Sequence, residues 1–86
     1  MPYQIKTSKE FDKFLDKHRD LAPKVVRSLR IIAQNPYQNA LDIVKLKGEE
    51  NKYRLRLGKY RFLYEIIEEQ ILVYAYKANS RGDVYQ

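Results

Sequence analysis

The chain has 86 residues, no cysteine and a formal net charge of +6. This length predicts a single domain over residues 1–86, and the lack of cysteine excludes a disulfide scaffold, a cysteine-type zinc site and a thiol nucleophile. No stretch is apolar enough to span a membrane or to act as a signal peptide, so we expect a cytoplasmic protein.

The first half of the chain predicts a strand followed by two helices. Residues 3–7 alternate between apolar and polar types, and Thr7 and Glu10 are spaced for a reciprocal capping box. The first helix is predicted from an apolar stripe of Phe11, Phe14, Leu15 and His18. Asp20 is the expected N-cap of the second helix, which has Pro23 in its first turn and a stripe of Leu21, Val25, Leu29, Ile32 and Ala33.

After Pro36 the apolar period changes from 3.6 to 2, which predicts an antiparallel sheet. The pair Gly58-Lys59 suits a two-residue hairpin loop. This loop places Leu57 opposite Tyr60, Leu55 opposite Phe62 and Tyr53 opposite Tyr64 on the core face, and Arg56 opposite Arg61, Arg54 opposite Leu63 and Lys52 opposite Glu65 on the other. A second turn at Glu68-Glu69 would place Tyr76 beside Arg61, Tyr74 beside Leu63 and Leu72 beside Glu65.

Most of the positive charge lies in this predicted hairpin region. Residues 44–64 hold seven lysines and arginines against two glutamates, a net charge of +5. Such a patch suits a partner that carries phosphates, although a basic surface can also serve solubility alone. Because Arg56 and Arg61 would repel each other across the strands, we expect an anionic group beside them. Tyr74 and Tyr76 could stack on RNA bases or simply cover the sheet.

Three strings carry a resemblance to a known family. They are Leu46-Lys47-Gly48, the basic segment over residues 52–66, and Arg81-Gly82-Asp83-Val84-Tyr85. Together with the order of elements, they resemble the RelE/ParE superfamily of toxins from bacterial and archaeal toxin–antitoxin systems. The resemblance implies a RelE-like α+β fold, in which an N-terminal strand and a two-helix hairpin pack on an antiparallel sheet.

The RelE branch of that superfamily implies a metal-independent endoribonuclease that cleaves mRNA on the ribosome and needs no cofactor. It also implies a RelB-like antitoxin as partner, in a toxin–antitoxin hetero-oligomer. Arg61 and Arg81 match the family's two arginines, Tyr85 matches its C-terminal tyrosine, and Lys52 matches a lysine of the preceding strand. Arginine replaces lysine at Arg54 and Arg56, and these two, with Lys47, Tyr74 and Tyr76, form the expected RNA-binding set.

These residue types suit cleavage by the RNA's own 2′-hydroxyl. Guanidinium groups stay protonated and can bind the charged phosphate of the transition state. Tyr85 could transfer a proton or stack on a base. Acid catalysis is left to Lys52 or to a group of the ribosome, and Lys52 could instead be the partner of Glu65 in an ordinary ion pair.

Other functions remain as alternatives or are excluded. A ParE-like inhibitor of DNA gyrase, with no enzymatic activity, would share the fold, and a catalytically silent nucleic-acid-binding module would share the charge. A single histidine, His18, excludes a two-histidine ribonuclease, and we expect it at the edge of the core. The carboxylates are scattered without the spacing of a metal site, and three isolated glycines form no phosphate-binding loop.

Overall fold

A computed structural model describes residues 2–80 of the chain. Its elements are β1 (Gln4–Thr7), α1 (Lys9–Lys17), α2 (Ala22–Gln34), β2 (Ile43–Lys45), β3 (Lys52–Leu57), β4 (Tyr60–Ile67), a 3₁₀ turn (Glu68–Gln70) and β5 (Leu72–Ser80). The predicted α+β fold, with an N-terminal strand and two helices on a sheet, is confirmed. Arg81 and Tyr85 lie outside the described residues.

The five strands form one sheet in the order β1-β5-β4-β3-β2. Neighbouring strands are antiparallel except β1, which runs parallel to β5, so the sheet is mixed. The strands β1 and β2 form its two edges. Among the described residues, no helix is long and apolar enough to span a membrane.

The hairpin between β3 and β4 has the predicted register. Gly58 has a φ of +60°, which a hairpin loop of two residues requires at its first position. Leu57 lies opposite Tyr60, and the pairing continues so that Arg56 faces Arg61 and Lys52 faces Glu65. The two arginines therefore lie side by side near the loop.

The predicted register between β4 and β5 is wrong. The connection covers residues 68–71, where a 3₁₀ turn is followed by Ile71 with a φ of +49°, and Ile67 pairs with Leu72. A β-bulge next to Leu63 and Tyr64 shifts the pairing by one further residue. As a result, Asn79 rather than Tyr76 faces Arg61, Lys77 rather than Tyr74 faces Leu63, and Tyr74 rather than Leu72 faces Glu65.

Both predicted helix caps are also wrong. Ser8, with an extended backbone, is the N-cap of α1, and its Oγ accepts a hydrogen bond from the backbone N–H of Phe11 at 3.1 Å. Thr7 instead donates to a carboxylate oxygen of Asp12 at 2.6 Å. The second helix has no side-chain cap, because Leu21, not Asp20, occupies the N-cap position and already has helical backbone angles.

The core lies between the helices and one face of the sheet. Phe11, Val25 and Ile32 from the predicted stripes are fully buried, and they belong to one cluster with Leu55 and Phe62 from the sheet. This packing confirms both predicted stripes. His18 ends the stripe of α1 at the edge of the core, where its ring stacks on Phe14 at 4.1 Å and contacts Tyr60 at 5.3 Å.

Candidate nucleic-acid interface

The sheet surface that faces away from the helices is here called the basic face. Side chains alternate along a strand, so residues next to core positions point to this surface. It is formed by Lys52, Arg54 and Arg56 of β3, Arg61, Leu63 and Glu65 of β4, and Tyr74, Tyr76, Lys77 and Asn79 of β5. The helices pack on the other face of the sheet, so this cationic surface is not covered by them.

Asp42 supplies an anionic group at the paired arginines. The Nε and Nη2 atoms of Arg56 lie 2.8 Å and 2.7 Å from the same carboxylate oxygen of Asp42. The backbone N–H of Arg56 also donates to the carbonyl oxygen of Asp42 at 3.0 Å. The expected counter-charge is therefore supplied, for Arg56, by the protein itself. The sequence analysis did not identify Asp42 as the partner of Arg56. The one feature that could have indicated it is that Asp42 directly precedes β2, the strand that pairs with β3.

Arg61 lies within the basic face rather than above it. The residue is 8% exposed, and its strand neighbours are Arg56 on β3 and Asn79 on β5. Arg54 is half-buried on the next strand. Burial limits the rotamers of a long cationic side chain, so the Arg61 guanidinium is restricted to few positions within the basic face.

Lys52 lies at the opposite end of the basic face. Its Nζ is 3.7 Å from a carboxylate oxygen of Glu49 and 5.8 Å from the centre of the Tyr76 ring. The residue faces Glu65 as predicted, but Glu65 accepts a hydrogen bond from Asn51 at 2.8 Å. The predicted ion pair between Lys52 and Glu65 is therefore wrong, and Glu49 is the acidic partner of Lys52.

The two tyrosines of β5 lie with Lys52 rather than with Arg61. The Tyr74 and Tyr76 ring centroids are 6.2 Å apart, and both residues are half-buried. Burial raises the pKa of the Tyr76 phenol, so this hydroxyl stays protonated at neutral pH. Glu65, which pairs with Tyr74, is four residues from Arg61 on β4, or about 13 Å along the strand. Tyr76 lies at the bulge beside Leu63, between these two levels. The predicted cluster is therefore spread along the face, from an arginine end with Arg56 and Arg61 to a tyrosine–lysine end with Tyr74 and Lys52.

The remaining predicted residues lie at one margin of the basic face or beyond the described range. Lys47 is exposed in the turn between β2 and β3, next to Leu46, whose N–H donates to the carbonyl oxygen of Lys52 at 2.9 Å. This bond places Lys47 at the tyrosine–lysine end. Residues 2–80 contain no cluster of three or more histidine or acidic side chains that could hold a metal ion. Arg81 and Tyr85 remain predictions.

Comparison with known proteins shows which proteins share this fold. The fold is that of the RelE toxins. No family model matches the chain, but a protein of Methanocaldococcus jannaschii that is named as a RelE1 toxin is 26% identical, and the alignment covers 79% of this chain and 81% of the relative.

Solved structures with the same fold are also RelE toxins. The archaeal RelE–RelB complex from Pyrococcus horikoshii matches with a TM-score of 0.80 and 27% identity, over 95% of this chain and 98% of the other. The RelBE2 toxin–antitoxin complex from Mycobacterium tuberculosis matches with a TM-score of 0.73 and 25% identity, over 94% and 100%. A double arginine-to-alanine mutant of E. coli RelE shares the fold, with a TM-score of 0.79, 20% identity and coverage of 99% and 88%. The resemblance to RelE toxins that the sequence predicted is confirmed.

Proposed function

We propose that this chain is the toxin of a type II toxin–antitoxin system and that it cleaves mRNA on the ribosome. The observation that carries the proposal is the juxtaposition of Arg56 and Arg61 across the central strands, on a cationic sheet face that the helices do not cover. Asp42 balances the charge of Arg56, but the face also carries Lys52, Arg54, Arg61 and Lys77 against Glu65, and a surface with this excess of cations suits a phosphate-bearing partner. The similarity to RelE toxins supports the same function.

The proposed reaction uses the RNA as its own source of nucleophile. The 2′-oxygen of one nucleotide loses its proton and attacks the adjacent phosphorus, and the bond from phosphorus to the 5′-oxygen of the next nucleotide breaks. The products are a 2′,3′-cyclic phosphate and a 5′-hydroxyl, which takes up a proton. Arg61 and Arg81 are the candidates to stabilise the extra negative charge of the pentavalent phosphorane.

Proton transfer needs groups other than arginine, whose pKa is too high for the task. Tyr85 and Lys52 are the candidates. Lys52 lies about 13 Å along the strand from the position of Arg61, so it would serve the scissile phosphate only if the RNA or the lysine side chain bridged that separation. Tyr85 is therefore the first residue to test, with Lys52 second.

The rest of the basic face is proposed to bind the RNA strand. Arg54 and Arg56 would contact phosphates at the arginine end, and Lys47 would do so at the other. Tyr74 and Tyr76 would stack on bases, since every base offers an aromatic face. Because phosphate contacts release counterions, affinity should fall steeply as salt increases.

A cleavage assay tests the proposal directly. Purified protein is added to ribosomes stalled on a defined mRNA, and the ends of the fragments are mapped and tested for a cyclic phosphate. We expect Arg81→Lys to lose at least about 10²-fold in cleavage rate, as for removal of one transition-state donor, while ribosome binding is retained. Arg27→Lys, an exposed residue of α2, is the matched control and should cleave normally.

Variants of Tyr85 separate its two proposed roles. If Tyr85→Phe cleaves normally and Tyr85→Ala does not, the ring stacks on a base and the hydroxyl carries no proton. Full activity of both Arg61→Ala and Arg81→Ala would contradict the proposed active site. Intact transcripts with DNA damage in cells would instead indicate a ParE-like gyrase inhibitor, and RNA binding without cleavage would indicate a silent binding module.

A RelB-like antitoxin is the proposed partner, because several of the matching structures are RelB–RelE complexes. An acidic or amphipathic segment would neutralise the toxin by covering the basic face. Hydrogen exchange at residues 52–65 and 78–86 should slow when the antitoxin binds. Slowing only in other segments would contradict this mode of inhibition.

A further inference from the structure

A second feature of the sheet lies at its β2 edge, on the side of the helices. Here the loop after α2 and the strands β2 and β3 line a pocket of about 420 Å³ that is open to solvent. Its chemically distinctive lining residues are Tyr37, Gln38, Asn39, Lys45 and Tyr53. Two aromatic rings, two amides and an amine surround a space within the size range of small-ligand sites.

Tyr37 is an exposed aromatic residue that is nevertheless held in place. Tyr37 is 62% exposed, and its hydroxyl donates a hydrogen bond to a carboxylate oxygen of Glu68 at 2.5 Å. The hydroxyl of Tyr3 donates to the same oxygen at 2.7 Å. A tyrosine anchored through its hydroxyl keeps its ring accessible at little further entropic cost, which favours stacking on a ligand.

Tyr53 and Lys45, on the neighbouring strands β3 and β2, also line the pocket. The Tyr53 ring stacks on the buried Tyr64 ring, with centroids 5.5 Å apart. Lys45 pairs with Tyr53 across the strands and is exposed, so its amine is accessible to a ligand in the pocket.

The loop after α2, which lines the pocket with residues 36–39, is held by amide contacts of its own. The side chain of Asn39 donates to the carbonyl oxygen of Asn35 at 2.8 Å and accepts from the N–H of Leu41 at 3.0 Å. Gln38 next to it is exposed, and its amide offers both a donor and an acceptor, the combination that reads the edge of a base.

We propose that this pocket binds one unpaired nucleotide of RNA, with the base against Tyr37, its edge at Gln38 and its phosphate at Lys45. A pocket for an apolar peptide side chain would not need a polar lining of this kind, whereas base recognition in single-stranded RNA combines aromatic stacking, amide hydrogen bonds and cations. The position fits an RNA strand that continues from the basic face around the β2 edge, because the lining residues Leu41 and Ile43 flank Asp42, which pairs with Arg56. The inference rests on the proposed function in taking RNA as the ligand.

The test measures binding of the full chain to a short single-stranded RNA oligonucleotide by fluorescence anisotropy. We expect Tyr37→Leu to weaken binding about tenfold, the scale of losing one stacked base, while Tyr37→Phe, which keeps the ring, retains most of the affinity. Lys45→Gln should weaken binding more than Lys13→Gln, an exposed lysine of α1 that provides the same change of charge. Thermal melting verifies that each variant is folded.

Photo-crosslinking of the same oligonucleotide locates the contact, and we expect crosslinks in residues 36–39. Unchanged affinity of both Tyr37→Leu and Lys45→Gln would overturn the proposal, as would crosslinks confined to the basic face. The cleavage assay is separate from these measurements. If the protein cleaves mRNA but the pocket variants bind normally, only the pocket is refuted; if cleavage is absent but Tyr37→Leu loses affinity, the pocket stands and the proposed enzymatic function fails.

Discussion

Replacing Asp42 by asparagine should strengthen RNA binding by releasing Arg56. Both side chains of this ion pair are about half exposed, at 48% for Asp42 and 51% for Arg56. An ion pair with that exposure contributes about 0–1 kcal/mol to stability, so Asp42→Asn should fold normally. The variant also removes a negative charge from the margin of the surface proposed to bind phosphates.

The size of the effect follows from counterion release. Each additional phosphate contact on a single strand steepens the dependence of log affinity on log salt by about 0.7. A fourfold increase in salt should therefore weaken the contribution of that contact by about 2.6-fold. Asp42→Asn should bind more tightly than the unmodified protein at low salt and lose this advantage as salt increases.

The assay is a titration of a single-stranded RNA oligonucleotide with protein at several salt concentrations. Asp16→Asn, which removes an exposed carboxylate from α1, is the control for the change in net charge. If the two variants have the same affinity and the same salt dependence, the ion pair with Asp42 does not restrain Arg56, and the reasoning is refuted.

Three further predictions concern stability. The Tyr64 hydroxyl is buried and has no hydrogen-bond partner among residues 2–80, so Tyr64→Phe should leave the free energy of unfolding unchanged or raise it by up to about 1 kcal/mol in chemical denaturation; a loss of stability would contradict this. Phe62→Ala should lower the free energy of unfolding by about 3–5 kcal/mol, because Phe62 is 1% exposed at the centre of the core, and a loss below about 1 kcal/mol would be inconsistent with that position. Hydrogen bonds from Tyr37 and Tyr3 lower the pKa of Glu68 from its ordinary value of 4.5; the stability they provide is complete above that value and is lost as the pH falls through the lowered pKa. Melting temperatures of Glu68→Gln should accordingly depend less on pH in this acidic range than those of the unmodified protein, and identical pH profiles would exclude this role of Glu68.

Local patterns in the sequence were sufficient for the elements whose geometry is local. The apolar stripes predicted both helices, and Gly58 with its neighbour predicted a two-residue loop, from which the facing of Arg56 and Arg61 follows by counting. The RelE resemblance was likewise carried by strings of residues in the sequence. Local hydrogen bonds and side-chain periodicity determine the two helices and the hairpin loop, so no distant contact was needed to predict them.

Contacts between distant segments decided the rest of the candidate site. The 3₁₀ turn before β5 and the bulge beside Leu63 moved Tyr76 away from Arg61, because a shift of register changes the partner of every following residue. The pairing of Asp42 with Arg56 depends on β2 joining β3, which no local pattern specified. A short edge strand and a bulge derive their stability from the packing of the whole sheet, and the arrangement of charge on the basic face is therefore a property of the tertiary structure.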